Sequence, residues 1–310
     1  MTAEPPQGRE PAGGNLEYLN AGAIRALLES EGIRPSKSLG QNFLADANHV
    51  RKIAAAAGAA PGVRVVEIGP GLGSLTIGLI NAGAEVVAIE KDARFASVLE
   101  RTARGARVVV ADALDSELSS VIEEAVGGDW PAPWRLAANL PYSTGTPIFV
   151  KILEEVSEIS GGVVMLQREV AERLVARSGD HEYGGVSVVV QYFASARKVG
   201  RVPPGVFVPA PRVESVLVGF ERREEPPVSA DRGRLFELIR AGFSHRRKTF
   251  RNSISGLSWA HEALEACTVV GIDPSRRAET MSLEEFGAIT GAALEMGVGS
   301  PPGGPSGGGR

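Results

Sequence analysis

Cysteine is almost absent from this chain of 310 residues, with Cys267 the single example. An internal disulfide is thereby excluded, and a reducing, cytoplasmic setting fits. Histidine is scarce as well. His49, His181, His245 and His261 show no metal-ligand spacing with the cysteine, so no metal site is expected. No apolar run approaches the roughly 18 residues that would cross a membrane. Residues Met1 to Asn15 are rich in Pro, Gly and Glu and lack an apolar core, which argues against a secretory signal.

What is present is an ordinary soluble composition, 43% apolar and 23% charged, in a length that holds one large domain and a small one. A net charge of −4 would argue against a nucleic-acid partner if it were evenly spread. It is not: between Asp231 and Asn252 seven Arg or Lys residues face two acids, with Arg246, Arg247 and Lys248 consecutive and Arg251 close behind. The local field decides whether a phosphate backbone is attracted.

Residues 1–15 and the Gly/Pro/Ser tail of residues 296–310 cannot bury a core and are expected to be disordered. Leu16 to Glu31 reads as an amphipathic helix stopped by Gly32 and Pro35, and a second helix begins at the N-cap Asp46 and runs to Gly58. Strand and helix signals then alternate. Val63–Ile68, Glu85–Glu90, Ala106–Ala111, Trp134–Asn139 and Gly162–Gln167 are short strand-like runs, with Val213–Phe220 a later one. Apolar strands separated by helices imply a parallel sheet covered on both faces. Val186–Phe193 reads as a strand by propensity, although Gly184-Gly185 could equally lead into a buried helix. Glu224-Glu225-Pro226-Pro227 marks a domain boundary. Beyond it Arg234–Gly242, Thr249–Leu257, His261–Val270 and Leu283–Leu294 have helical spacing, so domains over 16–224 and 228–295 are expected.

The first strand runs into a glycine-rich turn, Glu67-Ile68-Gly69-Pro70-Gly71-Leu72-Gly73. Strand, glycine turn and helix place a ligand near the carboxyl end of a parallel strand. Gly69, Gly71 and Gly73 let the backbone turn tightly and a ligand approach. Glu90 follows roughly 20 residues on, where a carboxylate can accept ribose hydroxyls. Three readings compete: a turn with no ligand, a dinucleotide, and S-adenosylmethionine. A dinucleotide fingerprint wants glycine or alanine where Ser74 stands. The acidic Glu67 suits a sulfonium and an ammonium better than a pyrophosphate, and Asp112 could bond an adenine amino group. These residues favour S-adenosylmethionine.

Asn139-Leu140-Pro141-Tyr142 follows a later strand. The amino group of a planar ring is a poor nucleophile because its lone pair is delocalised. Asn139 Oδ1 and the Leu140 carbonyl could accept its two N–H bonds and free the lone pair for in-line attack on a methyl. Positioning and electrostatics then dominate over base catalysis. Pro141 stiffens the loop and Tyr142 offers a stacking ring. The alternative is a turn with a packing tyrosine, since Asn and Pro are common in turns. Phe207, flanked by Pro203-Pro204 and Pro209, is a candidate for the opposite face of a base clamp, or else a core residue in a loop.

At these residues the chain resembles the small-subunit ribosomal RNA adenine dimethyltransferases, from about Pro35 to Ile289. The motifs that carry the resemblance are Lys37–Leu44, Glu67–Thr76, Asn139–Tyr142, Met165–Val170, Val202–Ser215, Phe243–Thr249, and Arg277-Ala278-Glu279 with Leu283–Phe286. It implies a Rossmann-like class I methyltransferase fold, with a mostly parallel seven-stranded sheet whose last strand is antiparallel, and a small all-helical C-terminal domain. It also implies helix over Val186–Phe193 and a sheet that resumes near Ala196–Val202. Asn42, Leu44, Gly69, Gly71, Glu90, Asp112 and Asn139 would hold the cofactor. Asn139 to Tyr142 would form the reacting loop, with Phe207 stacking on the base. The implied reaction dimethylates two adjacent adenines near the 3′ end of small-subunit (16S) rRNA, on the small ribosomal subunit, by a monomeric, cytoplasmic protein. Ser143-Thr144-Gly145-Thr146, His245 and Phe250 depart from the family's usual residues without removing a proposed contact.

Three other functions compete with this one. A large-subunit adenine methyltransferase of the macrolide-resistance type is disfavoured by Leu140 and the Arg-Ala-Glu segment. A non-catalytic assembly factor is disfavoured by the intact cofactor and loop residues, and a nicotinamide oxidoreductase by Ser74. The basic residues Arg246, Arg247, Lys248 and Arg251 would grip RNA phosphates, or else form a solvated charged face.

Overall fold

A computed structural model of the chain describes residues 15–36, 40–128, 130–245 and 247–297. Nearly all of the expected terminal extensions therefore lies outside the described residues, as do Lys37, Ser38 and Leu39 of the first motif and Arg246 of the basic run. The chain divides into two compact units. One holds the residues up to Arg168 together with Lys198–Phe220; the other holds Glu169–Arg197 together with the residues from Glu221 onward.

In chain order the elements begin with α1 (Ala21–Ser30), β1 (Phe43–Leu44), α2 (Ala47–Ala56), β2 (Arg64–Ile68) and α3 (Ser74–Asn81). They continue with β3 (Glu85–Glu90), α4 (Ala93–Thr102), β4 (Arg107–Val110), α5 (Leu118–Val126), β5 (Trp134–Asn139), α6 (Gly145–Glu155) and β6 (Ile159–Gln167). Then come α7 (Arg168–Val175), α8 (Gly185–Phe193), β7 (Ala194–Val202), β8 (Phe207–Val208) and β9 (Ser215–Arg222). The chain closes on α9 (Arg232–Gly242), α10 (Phe250–Ser253), α11 (Ala260–Val269) and α12 (Leu283–Glu295).

Seven strands form one mixed sheet in the order β4-β3-β2-β5-β6-β9-β7. The ladders β2–β3, β2–β5, β3–β4 and β5–β6 are parallel. The order reverses at β2, with β3 on one side and β5 on the other. This is where a doubly wound sheet opens a crevice at its carboxyl edge. The β2 core residues Val65 and Val66 are fully buried, as both faces of the strand require.

Local chemistry sets the helix starts. Asn20 Oδ1 accepts from the Gly22 and Ala23 amides and opens α1, so the helix starts later than the Leu16 expected from its apolar spacing. Asp46 Oδ1 accepts from the His49 amide at 2.8 Å, as the N-cap expectation requires. Ile24 and Leu28 of α1 pack with Phe43, Leu72 and Phe95. β1 lies apart from the main sheet and pairs antiparallel with β8, Phe43 opposite Val208 and Leu44 opposite Phe207.

Val186–Phe193 is helical, lying within α8, and the strand reading from propensity is corrected. Ser187 closes the N-terminus: its hydroxyl accepts from the Gly184 amide at 3.0 Å and donates to the Arg173 carbonyl at 2.6 Å. A valine run accepts helix here because its face is buried, and packing overrides the weak backbone preference. The rings of Tyr192 and Phe193 meet Phe236 of α9 at 5.1 and 5.7 Å between centroids. That contact explains why residues 169–197 cluster with the C-terminal unit, whereas the sequence placed everything from 16 to 224 in one domain. In the same unit Phe243 and Phe250 both pack on Phe286 of α12. Ser282 and Glu285 form a capping box at the start of that helix.

Candidate active site

The carboxyl edge of β2 opens into a cavity of about 490 Å³. Every residue expected to hold the cofactor lines it: Asn42, Leu44, Gly69, Gly71, Glu90, Asp112 and Asn139. Of the reacting loop, Pro141 lines it as well, with Ser143 and Thr144 beside it.

The turn after β2 is built on positive φ angles: +70° at Gly69, +58° at Gly71 and +92° at Gly73. A Cβ on Gly71 would lie 2.9 Å from the Phe43 ring, and one on Gly73 would lie 2.7 Å from a Leu99 methyl. Glycine is required on both grounds.

Glu90, at the end of β3, is only 8% exposed. Its Oε2 accepts from the Gly71 amide at 3.0 Å and its Oε1 from the Asp92 amide at 2.9 Å. Burial pushes its pKa upward, against those hydrogen bonds. Each oxygen keeps a second lone pair for a ligand hydroxyl. Asp112 hydrogen-bonds Lys91 and also accepts from the Leu114 amide at 2.9 Å. The Lys91 hydrogen bond holds its pKa below the usual carboxylate range.

Glu67 is the most unusual group in the cavity wall. It is 1% exposed, its Oε2 is buried without a hydrogen-bond partner, and the Ser74 hydroxyl beside the turn is likewise unpartnered. Removal from water pushes its pKa up to about 8, and the charge of Glu90 acts in the same direction. Such a carboxyl, mostly neutral on its own, ionises more readily when a cationic ligand stands beside it. The lining acids Glu67, Glu90, Asp92 and Asp112 outnumber the cation Lys91, which is itself paired with Asp112. A glycine cradle walled by acids suits S-adenosylmethionine and opposes a pyrophosphate.

Asn139 Nδ2 donates to the Asn42 carbonyl at 3.1 Å across 97 positions of sequence. That bond assigns the amide orientation, and Oδ1 takes no hydrogen bond among the described residues. The Leu140 amide donates to the Met165 carbonyl at 3.1 Å and ties the loop to β6. The Pro141 carbonyl accepts from Gly145 at 2.8 Å as α6 begins. Leu140 is buried, and both it and Tyr142 lie outside the cavity lining. Tyr142 is half-buried, its hydroxyl 3.2 Å from Ser215 Oγ on β9, and burial raises its pKa. Phe207 does not line the cavity; it is 4% exposed and packed in the core with Leu44, Val202 and Leu217.

Sequence reasoning missed Ser215, Phe43 and Lys91. Lys91 stands next to Glu90 and could have been paired with the acid at the next strand end. Ser215 and Phe43 lie within the Val202–Ser215 and Lys37–Leu44 motifs, but their partners are set by the folded topology. The basic residues belong to the second unit. Arg247 and Lys248 are exposed in the turn between α9 and α10, not on a helix, and Arg251 is exposed on α10. Among the described residues there is no cluster of side chains able to hold a metal ion, and no helix long and apolar enough to cross a membrane.

The sequence profile of a family described as ribosomal RNA adenine dimethylase matches residues 33–292. The chain belongs to that family. It is 43% identical over 299 residues to "Ribosomal RNA small subunit methyltransferase A" of Kineococcus radiotolerans, which covers 93% of this chain and 95% of the relative. A protein of the same name from Geobacillus kaustophilus is 40% identical over 284 residues, covering 89% and 96%. Among solved structures, a dimethyladenosine transferase from Plasmodium falciparum superposes with a TM-score of 0.65 at 24% identity, covering 83% of this chain and 98% of the other. The 23S rRNA methyltransferase ErmE superposes at 0.60 and 24%, covering 82% and 100%. Those two likenesses establish the fold. As a member of this family the protein is an S-adenosylmethionine-dependent rRNA adenine dimethyltransferase.

Proposed function

We propose that this enzyme dimethylates the exocyclic amino groups of two adjacent adenines near the 3′ end of small-subunit (16S) rRNA, acting in the cytoplasm as a monomer on the small ribosomal subunit. The observation that carries the chemistry is the Asn42–Asn139 hydrogen bond. It fixes one amide so that its oxygen is an acceptor beside the glycine cradle. The relatives named for small-subunit methylation, matched over most of their length, support the choice of RNA.

S-adenosylmethionine supplies an electrophilic methyl on a cationic sulfur. Everything else falls to the chain. Glu90 accepts hydroxyls, Asp112 an amino group, and the glycine backbone admits the ligand without a side chain in the way. Asn139 Oδ1 and the Leu140 carbonyl accept the two N–H bonds of the adenine amino group, which pulls its nitrogen toward tetrahedral geometry and localises the lone pair. The proton becomes acidic only as the new N–C bond forms, so it can leave to water without a strong base in the loop. Tyr142, held by Ser215, offers one face for stacking. Phe207 is the expected opposite face, and its ring has to leave its packing against Leu44 to meet a base.

Purified protein incubated with labelled S-adenosylmethionine and either unmodified small subunits or large-subunit RNA tests the assignment. Label on adjacent adenines of the small-subunit RNA is expected. Label confined to large-subunit RNA overturns it, and no label on either, with cofactor still bound, favours an assembly factor. Asn139→Ala should reduce turnover at least about a hundredfold, the scale of losing one preorganised transition-state hydrogen bond, while RNA affinity stays within about twofold.

A further inference from the structure

The second unit holds a cavity of its own, about 310 Å³ in volume, at the lower end of the range for small-molecule pockets, roughly 300–1,000 Å³. Three stretches far apart in sequence build it: residues 182–186 leading into α8; Gly242, Phe243, His245 and Lys248 at and after the end of α9; and Ala278-Glu279, with Arg173 of α7 at its side. Two of these belong to motifs that the methyl-transfer site leaves unused, Phe243–Thr249 and Arg277-Ala278-Glu279.

The lining is chemically mixed. Its floor is aromatic: the rings of Tyr183 and Phe243 meet edge to face with centroids 5.8 Å apart. The Tyr183 hydroxyl donates to the Met281 carbonyl at 3.0 Å, which fixes that ring. Phe243 is only half-buried. Lys248 and Arg173 are exposed cations in the wall; Lys248 has no ion pair among the described residues, and Arg173 reaches Glu169 at 3.4 Å. The carboxylates of Glu182 and Glu279 are present as well, Glu182 hydrogen-bonded to His181 at 2.7 Å and Glu279 3.6 Å from the Arg277 guanidinium.

We propose that this second cavity seats one unpaired nucleotide of the RNA substrate, its base against Phe243 and its phosphate toward Lys248 and Arg173. A bare phosphate is a poorer match, because two carboxylates in the wall repel an anion. The same carboxylates are good acceptors for the exocyclic amines of a base, and an aromatic floor is what an unstacked base rests on. Cations beside such a pocket position the backbone without reading sequence. The glycine pair at the entrance of α8 leaves the wall without side chains. Gly184 has extended backbone, φ −161°, and a Cβ there meets no atom within 4 Å. Space for the ligand thus lies beside a position where any side chain is conformationally allowed. The inference rests on small-subunit rRNA being the substrate, and it adds a contact remote from the methylated base.

Gly184→Leu and Gly184→Ala make the decisive pair. Leucine should obstruct the cavity without straining the backbone, whereas alanine should leave most of it open. Affinity for unmodified small subunits is expected to fall about five- to a hundredfold for Gly184→Leu, the scale of losing one stacked base. Gly184→Ala should stay within about twofold of wild type, with cofactor binding and melting temperature unchanged in both. Equal affinity for all three proteins overturns the proposal. A wild type that does not bind small subunits at all would instead refute the substrate assignment. A second measurement does not depend on the variants. Titrating wild-type protein with each of the four nucleoside monophosphates, and separately with inorganic phosphate, should shift the amide resonances of Gly184 and Gly185 saturably for at least one nucleotide and not for phosphate. Equal shifts with phosphate would mark a simple anion site, and no shift with any probe would remove the pocket from RNA recognition.

Discussion

Glu67 concentrates the unusual physics of single residues in this enzyme. A carboxyl with one unpartnered oxygen, 1% exposed and with its pKa at about 8, is mostly protonated at neutral pH. In the unfolded chain it titrates near 4.5. Between those values the folded state binds the extra proton, so stability falls as pH rises. Glu67 contributes fully below the lower value and its contribution is gone above the upper one. The loss is at most about 1.4 kcal/mol per pH unit from this one group. Melting temperatures measured from pH 5 to pH 8 should therefore decline more steeply for the wild type than for Glu67→Gln. Parallel curves would show that the carboxyl is ionised or hydrated in the folded state. Glu90 was legible in the sequence because strand ends in a doubly wound sheet are predictable places. The state of Glu67 was not, since it depends on how completely β3, β5 and the glycine turn exclude water.

Elements were readable in proportion to how much their boundaries depend on local chemistry. β3 and β5 fall where the strand-like runs predicted them, and α2 starts at its Asp46 cap. β6 begins three residues earlier than expected, because Ser160-Gly161-Gly162 looks like a turn. The structure gives Gly162 a different reason to exist: at φ +153° a Cβ there would lie 2.1 Å from the Leu136 carbonyl oxygen. This glycine lets β6 approach β5 opposite Leu136, one pair beyond the register shift between Trp134 and Arg135. Gly162→Ala should destabilise the protein by at least about 1–3 kcal/mol from backbone strain alone, with the clash adding to it. Urea denaturation would measure the difference, and a change within about 0.5 kcal/mol would show that the backbone relaxes freely. Val186–Phe193 failed in the opposite sense: its composition favours strand, and only burial against α9 makes it helix. The reacting loop was legible as a motif, but its anchors were not. Tyr142 and Ser215 are 73 positions apart, a separation over which pattern says nothing.

At the scale of the whole molecule, a chain of net charge −4 acts on a polyanion, and the basic run proposed to meet its phosphates belongs to the second unit. Arg247, Lys248 and Arg251 are exposed there. Replacing Arg246, Arg247 and Lys248 together by alanine should weaken RNA binding and flatten its salt dependence. The slope of log affinity against log salt should drop by about 2, given roughly 0.7–0.9 per phosphate contact. An unchanged slope across salt concentrations would assign the run to a solvated face. Cofactor affinity should not move, since neither Arg247 nor Lys248 lines the glycine-turn cavity.

The ladder between β1 and β8 has one further consequence. Leu44, a wall of the cofactor cavity, is held to Phe207 by a pairing only two residues long and separate from the seven-stranded sheet. The neighbouring Ala45 amide adds a bond to the Val206 carbonyl at 2.8 Å. Such a short tie can come apart as a local fluctuation, at a small fraction of the free energy that would unzip β2 from its neighbours. A fluctuation that opens this pairing therefore displaces Leu44 and Phe207 together and leaves the seven-stranded sheet as it was.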